Sequence, residues 1–229
     1  FRTTDGGATY GQVAKLTASD AAADDYFGYS VAIDGGTVVV GAFRDNDDGT
    51  DSGSVYVFHT SDGGATYVEV AKLTAADGAS WDSFGNSVAI DGNAIVVGAY
   101  YKNYGEGAVY VFRTSDGGAT YGQVAKLTAS DAAAGDSFGV SVAIDGDTIV
   151  VGARFAGTGG AVYVFRTSDG GATYGQVAKL TASDAAAGDI FGFDVAIDGA
   201  TIVIGARGKD SYTGSAYVFR TTDGGATYG

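Results

Sequence analysis

The stretch FRTSDGGATYGQVAKLTASDAAAGDSFGVSVAIDGDTIVVGA, residues 112–153, decides the fold because the chain repeats it four times with small changes. The tripeptide Tyr-Val-Phe marks the period. It ends at Phe58, Phe112, Phe165 and Phe219, at intervals of 54, 53 and 54 residues. A fixed period of this size is typical of solenoids and propellers. The 229 residues are therefore predicted to form one array of a single structural unit.

Each unit contains four short apolar runs separated by turn residues. In the copy that begins at Phe138, the first two runs, residues 141–144 and 148–151, flank an Asp-Gly pair. Such a pair between β-branched runs is a strong hairpin signal, because both residues tolerate positive φ. The second run does not alternate with polar residues, so both faces of its sheet should be covered by neighbouring sheets. With the third and fourth runs, residues 161–165 and 174–180, the pattern predicts an all-β chain of four-stranded propeller blades.

The composition excludes several classes of partner. The net charge of −14 and the pI near 4.1 argue against nucleic acid and against anionic membranes, whose phosphates would be repelled. The absence of Cys excludes disulfides and thiolate metal sites. No apolar run approaches membrane length and no signal-peptide pattern is present. Because the chain has no Met, we expect it to be a section of a longer protein.

The segment from Phe-Gly to Gly-Ala, FGVSVAIDGDTIVVGA at residues 138–153, resembles the FG-GAP repeat, the blade of integrin α-subunit propellers and of many surface proteins. The resemblance covers all four copies and implies an extracellular or cell-surface β-propeller with an adhesive or structural role. Two departures limit it. The family's calcium loop between the first two strands is shortened to an Asp-Gly turn, so calcium at that place is not carried over. The family's Pro after Gly-Ala is replaced by Phe43, Tyr100, Arg154 and Arg207.

The link between the third and fourth runs, TSDGGATY at residues 167–174, is similar to the Asp-box hairpin of sialidase-type propellers. Its Asp carboxylate and Thr hydroxyl are expected to bind backbone N–H groups of the loop, while Gly takes the left-handed conformation. The motif therefore supports a propeller and says little about sialidase activity. It begins at Thr3, Thr60, Thr114, Thr167 and Thr221.

The ends of the chain allow two arrangements of one domain spanning residues 1–229. In the first, which we favour, residues 9–17 supply the closing strand of the last blade and the ring closes at four blades. In the second, the four blades are a slice of a larger propeller or repeat array, because residues 219–229 duplicate residues 1–11. The predicted blade cores are residues 27–74, 84–128, 138–181 and 191–219.

The copies differ most in the loops between the second and third strands. These loops are predicted to lie on one face together with the loops between fourth and first strands, one of which carries Trp81. Variable loops on a constant scaffold usually carry recognition. Aromatic side chains there would stack on a sugar or a protein, unless they serve as partly buried loop anchors. The candidate ligand-binding residues are Trp81, Tyr100, Tyr101, Tyr104, Arg154, Phe155, Arg207 and Tyr212.

One of these loops also carries a candidate calcium site. Asp45, Asp47 and Asp51 alternate around a Gly, as carboxylates do in loops that bind hard cations. The alternative is a soluble acidic turn without a cofactor. A pair of Asp residues before each Phe-Gly is expected to cap loop N–H groups. The pairs are Asp20 and Asp25, Asp77 and Asp82, Asp131 and Asp136, and Asp184 and Asp189.

The sequence shows no recognisable set of catalytic residues. His59 is the only His in the chain, and no Ser-His-Asp set can be assembled around it at a strand end. Carboxylates are so numerous that no glycosidase pair stands out. We therefore expect a non-catalytic extracellular module that binds protein or glycan, and further copies of itself, without nucleic acid or membrane insertion. The alternatives are a sialidase-like carbohydrate-active enzyme and a ligand-free structural repeat of a filament or surface layer.

Overall fold

The computed structural model describes residues 3, 6–9, 11–225 and 227–229, which fold as consecutive antiparallel β-sheets. The Asp-box-like turn predicted to begin at Thr3 lies partly outside the described residues, because Thr4, Asp5 and Tyr10 are not among them. Within each sheet of the described chain, every strand pairs with the strand next to it in sequence. This meander is the topology of a propeller blade.

The first sheet contains β1 (Ser30–Asp34), β2 (Thr37–Ala42), β3 (Ser54–His59) and β4 (Val68–Leu73). The second contains β5 (Phe84–Asp91), β6 (Ala94–Ala99), β7 (Ala108–Arg113) and β8 (Gly122–Leu127). The third contains β9 (Phe138–Asp145), β10 (Thr148–Ala153), β11 (Ala161–Arg166) and β12 (Gly175–Leu180). The fourth contains β13 (Phe191–Asp198), β14 (Thr201–Ala206) and β15 (Ser215–Arg220). Two helical turns, α1 (Lys102–Gly105) and α2 (Lys209–Tyr212), lie between second and third strands.

The Asp-Gly pairs form the predicted tight turns between first and second strands. Asp145 pairs with Thr148, and Gly146 between them has φ of 54°. A positive φ costs Gly nothing and would strain most other residues. In the first three blades this Asp also accepts the backbone N–H of the next copy's turn glycine, as Asp91 Oδ2 does from Gly146 at 2.6 Å. The hairpin signal therefore fixes both the turn and its alignment with the next sheet.

The sheets stack closely because glycine occupies each crossing point. A Cβ added to Gly98 on β6 would overlap the carbonyl oxygen of Gly139 on β9. The same relation holds between Gly41 and Gly85, and between Gly152 and Gly192. The Gly of Gly-Ala in one blade thus receives the Phe-Gly segment of the next blade. This contact explains the two sequence markers that define the repeat.

The core lies between successive sheets. In the third blade, the ring of Phe138 packs edge-on against Tyr163 at 5.5 Å and against Phe165 at 5.9 Å between centroids. Phe138 and Tyr163 have no exposed surface, and Val150 and Val164 on the same sheet are equally buried. Burial of a Val or Phe side chain stabilises a fold by about 1.5–3 kcal/mol. Both faces of the inner sheets are covered, as the non-alternating runs predicted.

The two ends of the array differ from its interior. β15 has no fourth strand beside it within the described residues, and residues 12–17 are not assigned to a strand. The closing strand expected from residues 9–17, of which Tyr10 lies outside the described residues, is thus not formed here, and its pairing with the fourth sheet stays a prediction. Sheets contact each other in the order one to two, two to three and three to four. The blade architecture is confirmed, with three four-stranded blades and a fourth that shows three strands in the described chain.

Candidate functional site

The variable loops gather at one end of the blades, as the sequence predicted. The loop between β2 and β3 meets the segment that precedes β5. Trp81 donates its backbone N–H to Thr50 at 2.7 Å, and Ser83 donates to Asp51 at 3.1 Å. Antiparallel strands place these connections at the same end of adjacent sheets. A loop from one blade and a loop from the next therefore build one continuous surface.

An aromatic cavity of about 450 Å³ lies on this surface between the first two blades. Trp81 is 55% exposed, Tyr101 49% and Tyr104 87%, values that are high for large aromatic side chains. Tyr100 packs edge-on against Tyr101 at 6.0 Å. Flat, exposed aromatic faces of this kind can stack on the apolar face of a sugar ring or on a protein side chain. In the following, this aromatic cavity means the one lined by Phe43, Arg44, Asp51, Trp81, Ser83, Tyr100, Tyr101 and Tyr104.

Four of the predicted ligand-binding residues line the aromatic cavity: Trp81, Tyr100, Tyr101 and Tyr104. Two further lining residues, Phe43 and Arg44, were not among the candidates. The Arg44 guanidinium lies 4.9 Å from the centre of the Tyr26 ring, which holds the cation beside the cavity. The signal for Phe43 was present in the sequence, because it occupies the same repeat position as Tyr100.

The remaining predicted residues lie elsewhere on the same end. The Arg154 guanidinium stands over the rings of Phe155 and Tyr100, at 4.8 and 5.7 Å from their centroids. Arg207 covers Phe193 at 4.4 Å, and Tyr212 on α2 is 70% exposed. The arginines at this repeat position therefore pack on aromatic rings of the scaffold. That placement explains them without an anionic ligand.

A second cavity, of about 510 Å³, runs along the inner strands of all four blades. Its wall is partly polar. Asn86 donates its side-chain amide to the carbonyls of Gly139 and Val140, at 3.2 and 3.1 Å. Ser141 donates to Asp194 at 2.9 Å. These polar groups hydrogen-bond to each other between neighbouring blades. We therefore assign this second cavity a structural role in joining the blades that carry the loops.

A lysine, a tyrosine and an aspartate form a cluster at the outer edge of each of the first three blades, and in the fourth blade Lys209 on α2 supplies the lysine. In the third blade, Lys179 lies 2.5 Å from Asp131, which also accepts the Tyr163 hydroxyl at 2.8 Å. Burial and the neighbouring carboxylate raise the pKa of Tyr163 to about 12, while the hydrogen bonds from Lys179 and Tyr163 lower the pKa of Asp131. The cluster therefore ties a loop to the sheet. The cluster was not predicted from the sequence, although its Lys and Tyr recur in every AKL and YVF.

The first blade carries the acidic variant of this cluster. Asp20, Asp45 and Asp47 place carboxylate oxygens within 4.8 Å of one another, and Lys72 contacts all three at 2.6, 3.0 and 2.5 Å. Burial opposes the charge on Lys72, but its hydrogen bonds to Asp20 and Asp47 outweigh that and raise its pKa. Two of the three predicted calcium ligands, Asp45 and Asp47, thus converge on an ammonium group together with Asp20. Asp51 is not part of this group and donates its backbone N–H to Asn46 instead.

The Asp pairs divide their roles. The second member of each pair caps the loop as predicted: Asp82 accepts the backbone N–H of Ala79 at 2.8 Å, and Asp189 accepts that of Ala186 at 2.8 Å. The first member binds the Tyr hydroxyl of the cluster, as Asp77 does with Tyr110 at 2.6 Å. His59, at the end of β3, hydrogen-bonds through Nδ1 with the Thr37 hydroxyl at 3.2 Å. These groups stabilise the blade edge.

Fold and loop surface together define a β-propeller repeat protein with a constant scaffold and one variable end. The model of the FG-GAP repeat matches residues 10–58, 67–112, 121–165 and 174–219, which is most of the chain. The chain therefore belongs to the FG-GAP repeat family.

Among solved structures, the chain is similar to the crystal structure of Saccharomyces cerevisiae Sqt1, with 12% identity and a TM-score of 0.48. The match covers 85% of this chain and 48% of that one, so the chain spans about half the length of this structural neighbour. No curated protein matches the chain. Among the described residues, no helix is long and apolar enough to cross a membrane.

Proposed function

We propose that this chain is a non-catalytic adhesive module at the cell surface or outside the cell, which binds a glycan or a protein through its variable loops. The aromatic cavity is the observation that carries the proposal. Its exposed Trp81, Tyr101 and Tyr104 stand on loops held by backbone hydrogen bonds to the next blade. Large aromatic side chains left exposed on such a rigid base are the usual means of stacking on a ligand.

Charge narrows the choice of ligand. The net charge of −14 repels polyanions, whereas neutral sugars and basic protein surfaces are accepted. Further copies of the chain are proposed partners as well. The FG-GAP family supports a surface location, and fractionation of the native protein with an antibody tests it directly.

The binding test compares three proteins on a glycan array and on a protein pull-down: the wild type, Trp81→Ala and Tyr212→Ala. Tyr212 is the control, because it is an exposed aromatic residue on α2 of the fourth blade, outside the aromatic cavity. We expect Trp81→Ala to weaken binding about 5- to 150-fold, since a stacked aromatic contributes about 1–3 kcal/mol. Absence of any retained ligand, an equal loss in Tyr212→Ala, or turnover of a fluorogenic glycoside panel would each contradict the proposal.

We propose further that Lys72 takes the place which calcium would occupy in the acidic loop. The Lys72 ammonium contacts all three carboxylates and so occupies the position between them. Added calcium should then leave the melting temperature of the wild type unchanged. It should raise that of Lys72→Met, in which Asp20, Asp45 and Asp47 lack their counter-ion. A calcium-dependent rise in the wild type would favour a true calcium site instead.

A further inference from the structure

A smaller cavity adjoins the aromatic cavity on the side of α1. It has a volume of about 280 Å³, and we call it the α1 cavity. Trp81, Tyr101 and Tyr104 line both cavities and so form the wall between them. Besides this wall, the α1 cavity is lined by Ser80, Lys102 and Asn103 among others. One set of aromatic rings is thus shared by two neighbouring binding spaces.

Trp81 stands at a position that the other copies give to Gly or Asp. This position lies three residues before Phe-Gly, and Trp81 has φ of 74° there. The equivalent Gly135 and Gly188 have φ of 89° and 88°, and Asp24 has φ of 69°. Gly adopts this conformation at no steric cost, whereas a bulky residue is strained by it. Strain of this kind is concentrated at functional positions, so the only Trp of the chain is placed here for contact with a ligand.

The loops that carry the wall are fixed on both sides. The loop around α1 provides two of the three wall residues, and its Lys102 is only 5% exposed. The Lys102 ammonium donates to the buried Asp82 carboxylate at 2.7 Å, and Asp82 follows Trp81 directly in the sequence. Towards the third blade, the Gly105 carbonyl accepts the N–H of Ser137 at 2.8 Å. A ligand therefore meets a wall that is already in place, which lowers the entropic cost of binding.

The polar groups of the two cavities suit hydroxyl groups. Arg44 and Asp51 line the aromatic cavity and carry opposite charges. Ser80 and Asn103 are exposed in the α1 cavity. An ion in the aromatic cavity would be attracted by one of the two charges and repelled by the other. A hydroxyl both donates and accepts hydrogen bonds, so it can bind a guanidinium, a carboxylate, an amide or another hydroxyl. The two cavities therefore favour a neutral ligand with many hydroxyl groups.

We infer that the ligand is a neutral oligosaccharide with at least two consecutive sugar rings, one in each cavity and each stacked on the shared wall. This deepens the proposed function and rests on it, and it selects a glycan over a protein. Pockets for small ligands typically have about 300–1,000 Å³. The α1 cavity alone falls just below that range, so it accepts a single ring. All lining residues lie in loops or in α1, so the cavities offer no strand edge to a peptide backbone.

The test measures how affinity depends on the length of the sugar chain. The ligands are glucose, mannose and galactose, and the unbranched di-, tri- and tetrasaccharides of each. Because Trp81 is the only Trp of the chain, its fluorescence reports binding at the wall. In at least one series we expect the disaccharide to bind at least about tenfold more tightly than the monosaccharide, and further rings to add less than about threefold. The corresponding disaccharide of uronic acids should bind more weakly, because the chain has a net charge of −14.

Two variants separate the cavities. Ser80→Ala/Asn103→Gly alters only the α1 cavity, and Gly accepts the φ of 51° at position 103. It should reduce the affinity for the disaccharide to that for the monosaccharide, which should itself stay unchanged. Asp51→Gly alters only the aromatic cavity and should weaken binding of both sugars. Asp210→Gly is the matched control, because Asp210 on α2 has φ of 50° and lies outside both cavities. Melting curves establish that all three variants fold.

Equal affinities for monosaccharide and disaccharide would overturn the inference. It would also be overturned by an unchanged affinity for the disaccharide in Ser80→Ala/Asn103→Gly, or by an equal loss in Asp210→Gly. A protein retained in the pull-down, while no sugar changes the Trp81 fluorescence, would refute the oligosaccharide and leave the proposed function standing. If Trp81→Ala weakens binding of neither glycan nor protein, the proposed function itself fails.

Discussion

At the scale of the residue, the turn between third and fourth strands shows how an exposed carboxylate can stabilise a fold. Asp169 accepts the backbone N–H groups of Ala172 and Thr173, both at 2.9 Å, and the hydroxyls of Thr167 and Thr173 at 2.7 and 2.6 Å. These hydrogen bonds lower the pKa of Asp169, and those from Thr173 contribute most. The local pattern of Thr, Asp and Gly was sufficient to predict this turn, because every partner lies within five residues.

Stability at low pH should depend on these turns. The pKa of Asp62, Asp116 and Asp169 is lower in the folded protein than in the unfolded chain, so their contribution is complete above about pH 4 and is lost as the pH falls further. We expect the melting temperature to be constant above about pH 5 and to fall below about pH 4. Replacing all three by Asn should lower the melting temperature at neutral pH and flatten this acid decline. An unchanged decline would assign it to the Asp residues of the lysine clusters.

The tyrosine of the outer cluster predicts the opposite dependence. Tyr163 has its pKa raised to about 12, so the fold favours the protonated phenol. Its contribution is complete below about pH 10, the value for an unfolded chain, and is lost as the pH rises through the folded value. Tyr163→Phe should cost about 1–1.5 kcal/mol at neutral pH, measured by urea unfolding, and should reduce the loss of stability between pH 10 and 12. Tyr217→Phe, on the open fourth blade, should cost less.

At the scale of the element, the glycine of each Gly-Ala decides how closely two sheets approach. Gly98→Ala should destabilise the protein by about 3 kcal/mol, because the added methyl overlaps the Gly139 carbonyl and neither backbone can move freely. Gly205→Ala is the matched control. It has space around it, and Ala in a strand is about 0.5–1 kcal/mol more favourable than Gly. Urea unfolding of both variants measures the difference, and similar losses would disprove the role of the crossing point.

The strands themselves were largely predictable from the sequence, because period, Asp-Gly turns and apolar runs are local signals. The prediction placed a strand over residues 141–144, and β9 extends it back to Phe138, since the Phe-Gly segment packs into the preceding blade. The helical turn α1 was not foreseen. Asn103 and Tyr104 there adopt φ of 51° and 58°, and the Tyr104 carbonyl accepts the N–H of Gly135, which precedes the next blade, at 3.2 Å.

The site was predicted in part for the same reason. The aromatic residues stood out as differences between copies, and four of them meet in the aromatic cavity. The contact between Lys72 and Asp20 was not predicted, because the two residues are 52 positions apart and each alone belongs to an ordinary repeat motif. Distant pairs of this kind need the sheet register, which local patterns do not supply.

At the scale of the whole molecule, the same repetition that reveals the blades hides how the array ends. The segment GQVAKL occurs identically at residues 11–16, 122–127 and 175–180. It therefore matches the edge of any third strand equally well. The repeat pattern predicts a fourth strand beside β15, but identical segments do not indicate which of them forms it. In a repeat protein, stability is carried by contacts between neighbours, so a blade with one neighbour is held less firmly than a blade with two.

Hydrogen exchange should reveal this gradient along the chain. β11, buried between two blades and paired on both edges, should exchange with a free energy of opening close to that of global unfolding. β15 has the same sequence pattern but an exposed face and a free edge, so its amides should exchange much faster in dilute solution. Mass spectrometry of peptides covering residues 161–166 and 215–220 makes the comparison within one sample. Equal protection of both peptides would contradict this gradient.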